Sequence, residues 1–205
     1  MQARSIAGFV VRFALVYAIL MAPWPGLAAA YGSFYSAAGE LLFGSKQSES
    51  SVRFVRVDPA RSPDPTWQQD TMILLAIRGE PVGHRTVPPF GTQRSSRYTG
   101  YVPTAILIAL VLATPIPWRR RAYALVLGVV LVSAFAALMV AAWIHGWFLL
   151  QESIVRSEHS AGWSLLARGA MSLLEIDSYM GPYYVAPVLV WLLVVARFRS
   201  RAPEP

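Results

Sequence analysis

The sequence predicts an all-α membrane bundle of four transmembrane helices that carries a small extracytoplasmic β-rich insertion. Three observations lead there. The chain of 205 residues is 55% hydrophobic and 14% charged, where a globular domain in water averages roughly 45–50% and about 25%. Its apolar residues gather in blocks near the ~20 residues that one bilayer crossing needs. Arginines flank those blocks rather than spreading over a surface, the pattern that orients segments in a membrane.

The first block covers residues 6–21 and is apolar except for Arg12, with Arg4 before it. Arg12 lies near the inner end, where a long side chain can snorkel to the interface. Pro23 and Pro25 break the block, because an interior proline removes a helix hydrogen bond. A basic start, an apolar stretch and the run Ala28-Ala29-Ala30 have the form of a signal sequence. A retained anchor is favoured over a cleaved one. A second helical stretch follows over 27–43, with Leu27, Tyr31, Phe34, Ala38, Leu41 and Leu42 at helical spacing. It reads equally well as an interfacial helix on the outer leaflet or as a kinked continuation of the first span.

Residues 44–100 are more polar. Residues 51–58 partly alternate between apolar and polar, and 71–77 form a second β-like run, with Pro59, Pro63 and Pro65 between them. A third short strand is expected near 82–87. Two strands alone are marginal in water, so the sheet is expected to lean on the membrane helices or a partner.

The second span is expected over 98–118, with Tyr98, Tyr101 and Trp118 as interfacial aromatics. Pro115 and Pro117 end it, and Arg119-Arg120-Arg121 follow, placing that short loop in the cytoplasm. The third span runs over 122–150, with a small-residue packing stripe at Ser133, Ala137 and Ala141. A fourth covers 182–196 and closes on Arg197, Arg199 and Arg201. The expected organisation is therefore 1–43, an N-terminal transmembrane anchor plus interfacial helix; 44–100, an extracytoplasmic β-rich segment; and 101–205, a three-helix transmembrane region with an outer amphipathic loop at 151–181. Both termini are expected in the cytoplasm of a bacterium, with the chain multi-pass in its inner membrane.

Chemistry-bearing residues are sparse. With no cysteine, disulfides, zinc–thiolate sites, iron–sulfur clusters and thiol nucleophiles are excluded. The net charge of +7 is explained by the arginine flanks, so nucleic acid is not an expected partner. His145, Glu152 and His159 recur every seven residues, but two helical turns put neighbours about 10 Å apart. One metal ion bridges i and i+4 instead, so these are read as interfacial polar residues. His145 lies between Trp143 and Trp147, and a bis-histidine haem would need a second histidine at membrane depth. No metal or other cofactor is expected. Arg94 and Arg97, beside Tyr98 and Tyr101, read equally well as a grip on lipid phosphates or partner carboxylates and as an interface anchor. No Gly-x-Ser-x-Gly or His-Glu-x-x-His motif occurs, and an enzyme is not expected.

Ser96-Arg97-Tyr98, Tyr101-Val102-Pro103-Thr104 and the stretch from Ala113-Thr114-Pro115 to Arg121, with the order anchor, outer β-rich segment and spans, resemble the small accessory membrane proteins associated with exosortases. Exosortases use a cysteine nucleophile with arginine and histidine, so the resemblance implies an accessory role and no catalytic residues here. The function expected is that of a non-catalytic accessory or scaffolding membrane protein whose partners are lipids and other integral membrane proteins. The alternatives are a structural subunit of a respiratory or photosynthetic complex and a metal-dependent membrane enzyme.

Overall fold

The structure, a computed structural model, describes residues 2–46, 50–58, 69–77, 90–155, 169 and 181–199. The described helices are α1 (Gln2–Met21), α2 (Trp24–Phe43), α3 (Val102–Ala113), α4 (Trp118–Val155) and α5 (Gly181–Arg199). The strands are β1 (Ser45–Lys46), β2 (Ser50–Arg56), β3 (Thr71–Ile77) and β4 (Phe90–Arg94), and a π-helical turn, Arg97–Tyr101, leads into α3. They form one antiparallel sheet in the order β1-β2-β3-β4. β2 and β3 occupy the two β-like runs of the sequence. The strand expected near 82–87 lies outside the described residues, as does nearly all of the amphipathic loop at 151–181 beyond Val155.

The four-span all-α bundle is not what the chain forms. Among the described residues, α4 alone contains a helix long and apolar enough to cross a membrane, Trp118–Phe148. α1 and α2 pass the same test only together, and they are bent by 70° at their junction. The remaining apolar helices, Arg97–Ala113 and Gly181–Val195, fall within 10–17 residues, at most about 26 Å of rise against a hydrocarbon core of ~30 Å. Proline chemistry explains the difference. Pro23 and Pro25 interrupt α1–α2, and Thr114 turns extended at ψ 130° ahead of Pro115, which disfavours the helical region for its predecessor. The apolar window at 98–118 thus holds a π-turn, twelve residues of α-helix and a non-helical connection.

The chain divides into two compact units. The first comprises Met1–Leu27, Tyr98–Ala137 and Met180–Pro205. α3 packs here between α1 and α5. Leu107 and Val111 of α3 meet Ala124 and Val132 of α4 and Val194 of α5 in the core. Gly128 lets α4 approach, since a Cβ there would stand 2.8 Å from Leu107 Cδ2. The α3–α4 connection is pinned by polar contacts. Thr114 Oγ1 donates to the Leu110 carbonyl (2.7 Å) and accepts from Trp191 Nε1 (2.9 Å), while Arg121 Nη2 donates to the Thr114 carbonyl (3.1 Å).

The α1–α2 break is also satisfied internally. In a continuous helix the Leu20 carbonyl would accept from the amide of residue 24. Here it accepts from the Tyr101 hydroxyl, and the Trp24 and Tyr101 rings lie 4.7 Å apart. The Pro23 carbonyl restarts the helix by accepting from the amides of Gly26 and Leu27, both at 3.1 Å.

The second unit comprises Ala28–Arg97 and Leu138–Tyr179. Val52, Phe54, Ile73 and Leu75 project from one sheet face, as the period of two requires. They pack on Val140, Trp143, Ile144 and Trp147 of α4, which recur at helical spacing. The small sheet thus gains the helical cover that lets its apolar face be buried.

The outer surface of the helices carries many large apolar side chains. Ile6, Val11, Leu15 and Ile19 of α1, Val126, Val130 and Leu138 of α4, and Val185, Leu189 and Leu193 of α5 are all exposed. Of the most apolar window of α4, 22% is buried, whereas the core helix of a water-soluble domain would be mostly buried.

Candidate functional site

The polar chemistry of the sheet unit centres on Asp70, one residue ahead of β3. Its carboxylate is buried, 6% exposed. Oδ1 accepts from the Ser96 amide at 2.8 Å and, at the long distance of 3.3 Å, from the Thr71 hydroxyl. Oδ2 accepts from the Ser96 hydroxyl at 2.5 Å. The main chain of Asp70 is engaged as well: its amide donates to the Arg94 carbonyl (3.1 Å), and its carbonyl accepts from the Val57 amide (2.9 Å). One aspartate therefore ties β2, β3, β4 and the start of the turn into α3. Charge-assisted bonds of this kind contribute about 1.5–3 kcal/mol each.

α2 closes over this cluster because it carries glycine at the contact. A Cβ on Gly32 would lie 2.7 Å from Asp70 Oδ2. One helical turn and more along the same face, Ser36 is buried and Gly39 sits against Phe54, where a Cβ would stand 2.4 Å from Cδ1 of the ring. Two side chains of α2 then reach the sheet. Glu40 Oε2 accepts from the Phe54 amide at 2.7 Å, and Ser33 Oγ accepts from Arg56 Nη1 at 2.6 Å while donating to the Ala29 carbonyl. β1 pairs with β2 only at Ser51 and Val52. The Phe54 amide therefore belongs to a stretch of strand edge that β1 leaves open, and Glu40 caps it in the way native proteins blunt a sheet edge.

The four residues singled out for partner or lipid contact do not form one site. Arg94 and Arg97 belong to the sheet unit, Tyr98 and Tyr101 to the helical unit. The Arg94 guanidinium lies over the Trp143 ring, 5.2 Å from its centroid, a cation–π contact that binds β4 to α4. Tyr101 is occupied at the α1–α2 break as described. Arg97 and Tyr98 are half-buried. His145 is exposed on α4, opposite the buried Trp143, Ile144 and Trp147. Glu152 falls within α4, and His159 lies outside the described residues. Among the described residues no group of three His, Cys, Asp or Glu is placed to hold a metal ion.

Sequence reasoning passed over Asp70, Ser96, Gly32 and Glu40. Glu40 did carry a signal: it is the only charged residue between Arg12 and Lys46. An isolated carboxylate in so apolar a stretch needs a buried donor, which the Phe54 amide supplies. Asp70 offered a weaker hint as the acidic residue directly before the apolar run of β3. Its partner Ser96 is 26 positions away, and no local pattern joins the two.

Chemically, this arrangement holds elements together. The Asp70 oxygens are committed to Ser96 and Thr71, and Glu40 to a backbone amide. No family model, curated protein or solved structure matches the chain.

Proposed function

We propose that the chain is a non-catalytic membrane scaffold that holds a small sheet unit at a bilayer surface for a partner integral membrane protein. The observation that carries this reading is the inversion of polarity across the molecule. Large apolar side chains of α1, α4 and α5 face outward, while Asp70 and Ser96 are buried and bonded to each other, and the half-buried Glu40 is bonded to the Phe54 amide. Lipid is the solvent that favours the first arrangement.

On this reading α4 crosses the cytoplasmic membrane of a bacterium. Trp118–Phe148 contains 31 residues, about 46 Å of rise against ~30 Å of hydrocarbon, so one end stands clear of the core. Arg119, Arg120 and Arg121 put the N-terminal end of α4 in the cytoplasm, and the end carrying Trp143 and Trp147 emerges outside. The short motifs around Ser96-Arg97-Tyr98 and Ala113-Thr114-Pro115 support a partner of the exosortase type. That assignment agrees with a chain that has no cysteine of its own to perform thiol transpeptidation.

The test is purification of the tagged full-length chain by gentle detergent extraction from the cell that encodes it, followed by native electrophoresis and mass spectrometry. A stoichiometric integral membrane partner is expected, an exosortase-type enzyme in the favoured case. Recovery with respiratory or photosynthetic subunits would redirect the proposal to those complexes. A monodisperse monomer with nothing bound would remove the scaffold reading.

A further inference from the structure

The net charge of the chain is not shared between its two units. Of the 11 acidic residues, Glu204 alone falls in the helical unit, against eight arginines, whereas ten basic and ten acidic residues balance in the sheet unit. The whole excess of +7 therefore belongs to the helical unit. The fold gathers part of it at one level. The Phe9 ring of α1 lies 5.9 Å from Trp191 of α5. Trp191 is bonded to Thr114 at the end of α3, and Arg121 of α4 to the Thr114 carbonyl. Arg12 is three residues beyond Phe9, about 4.5 Å of rise, and the Cα–Cβ bonds of a helix tilt toward its N-terminus, which carries Arg12 back toward the same level. Arg119 and Arg120 precede Arg121 on the first turn of α4. We infer that this end of the helical unit is a binding surface for the phosphate of acidic phospholipid headgroups, held chiefly by Arg12, Arg119 and Arg121. The inference rests on the membrane reading above.

Three observations favour phosphate at a bilayer surface. First, the cations lack internal counter-charges. Among the described residues, Arg12, Arg119 and Arg121 have no carboxylate partner. Arg12 and Arg119 are exposed, and the half-buried Arg121 keeps its Nε buried without a hydrogen-bond partner. A partly desolvated guanidinium gains more from a nearby anion than one in water, and its planar fork matches phosphate oxygens. Second, these cations stand beside exposed apolar and aromatic side chains: Ile6, Val10 and Val11 near Arg12, and Trp118 and Tyr123 on either side of the arginine run. An acidic protein segment arriving from water would leave that apolar surface uncovered. A headgroup has hydrocarbon directly beneath it, and tryptophan and tyrosine suit that boundary. Third, the positive end of the α4 dipole lies at the same arginines and adds to their field.

The test uses the full chain, delipidated in a neutral detergent and titrated with phosphatidylglycerol or phosphatidylcholine of the same acyl chains, with bound lipid counted by native mass spectrometry. Phosphatidylglycerol should bind more tightly than phosphatidylcholine. Arg12→Gln with Arg119→Gln should weaken phosphatidylglycerol binding by roughly 30-fold, about fivefold for each arginine, and leave phosphatidylcholine unchanged. Arg12→Lys with Arg119→Lys should keep most of the preference. Arg53→Gln, at an exposed arginine of the sheet unit, should have no effect. Inorganic phosphate at the same concentration as the lipid should not displace it.

Equal affinity for the two lipids, undiminished phosphatidylglycerol binding by the double glutamine variant, or displacement by free phosphate would each overturn the inference. So would a double glutamine variant that keeps its lipid preference but loses a co-purifying protein, which would assign the surface to an acidic partner. Carbonate-resistant flotation of the unaltered chain with neutral phosphatidylcholine vesicles separates this inference from the membrane reading. Flotation without a preference for phosphatidylglycerol would overturn this inference alone, and failure to float would overturn both.

Discussion

Gly39→Ala tests the close approach of α2 to the sheet. Alanine is the better helix former by roughly 0.5–1 kcal/mol, so an unconstrained site would gain stability. At Gly39 the new methyl group would stand 2.4, 2.6 and 2.8 Å from Cδ1, Cε1 and Cγ of Phe54. The ring has little room to yield. Phe54 is in the sheet core, its ring lies 6.1 Å from that of Phe43, and its amide is held by Glu40. Overpacking of this kind costs about 1–3 kcal/mol, leaving a net loss centred on about 1 kcal/mol, and at most about 2.5 kcal/mol, after the helix gain is subtracted. The assay is thermal or denaturant unfolding in mild detergent, followed by the near-ultraviolet circular dichroism of the tryptophans. Gly26→Ala is the internal control in the same helix, where nothing lies within 4 Å of the added Cβ, and it should be neutral or slightly stabilising. Phe54→Leu should partly restore Gly39→Ala, with a coupling of about 0.5–3 kcal/mol. Equal behaviour of the two alanine variants would refute the packing argument.

Asp70→Ala strands the Ser96 amide and hydroxyl in a buried site, and the sheet unit should lose about 3 kcal/mol in the same unfolding experiment; Ser96→Ala, which removes one of the two bonds, should cost about half as much. Tyr101→Phe leaves the Leu20 carbonyl without its donor and should lower stability by about 1 kcal/mol, with faster hydrogen exchange confined to residues near the α1–α2 break. Glu40→Ala uncaps the Phe54 amide and opens the edge of β2. Beyond a loss of about 1–2 kcal/mol, it should raise the fraction of higher oligomers in size-exclusion chromatography, since an open edge templates pairing.

The local elements were legible in the sequence because their causes are local. Alternation placed β2 and β3, and prolines stopped α1 near Met21 and α3 at Ala113. The span count failed because hydropathy counts apolar residues, whereas crossing a membrane requires continuous helical rise. Residues 98–118 are apolar enough to cross, yet the first four belong to a π-turn and the stretch from Thr114 to Pro117 is not helical. The candidate site was less legible still. Arg94, Arg97, Tyr98 and Tyr101 are neighbours in sequence but fall in two units. Asp70 and Ser96 are distant in sequence and bonded in the fold. Gly32 and Gly39, pressed against the sheet, have no sequence mark to separate them from Gly8 and Gly26, which face open space.

In the proposed topology α4 crosses a membrane with its arginine end inside. A unique thiol at Arg119→Cys or His145→Cys, both exposed positions on α4, measures this most directly when intact bacterial spheroplasts are treated with a membrane-impermeant maleimide. The two lie 26 positions apart, about 39 Å along the helix. The thiol at 145 should react in intact spheroplasts and that at 119 only after lysis. Reaction of both from the same side would contradict it.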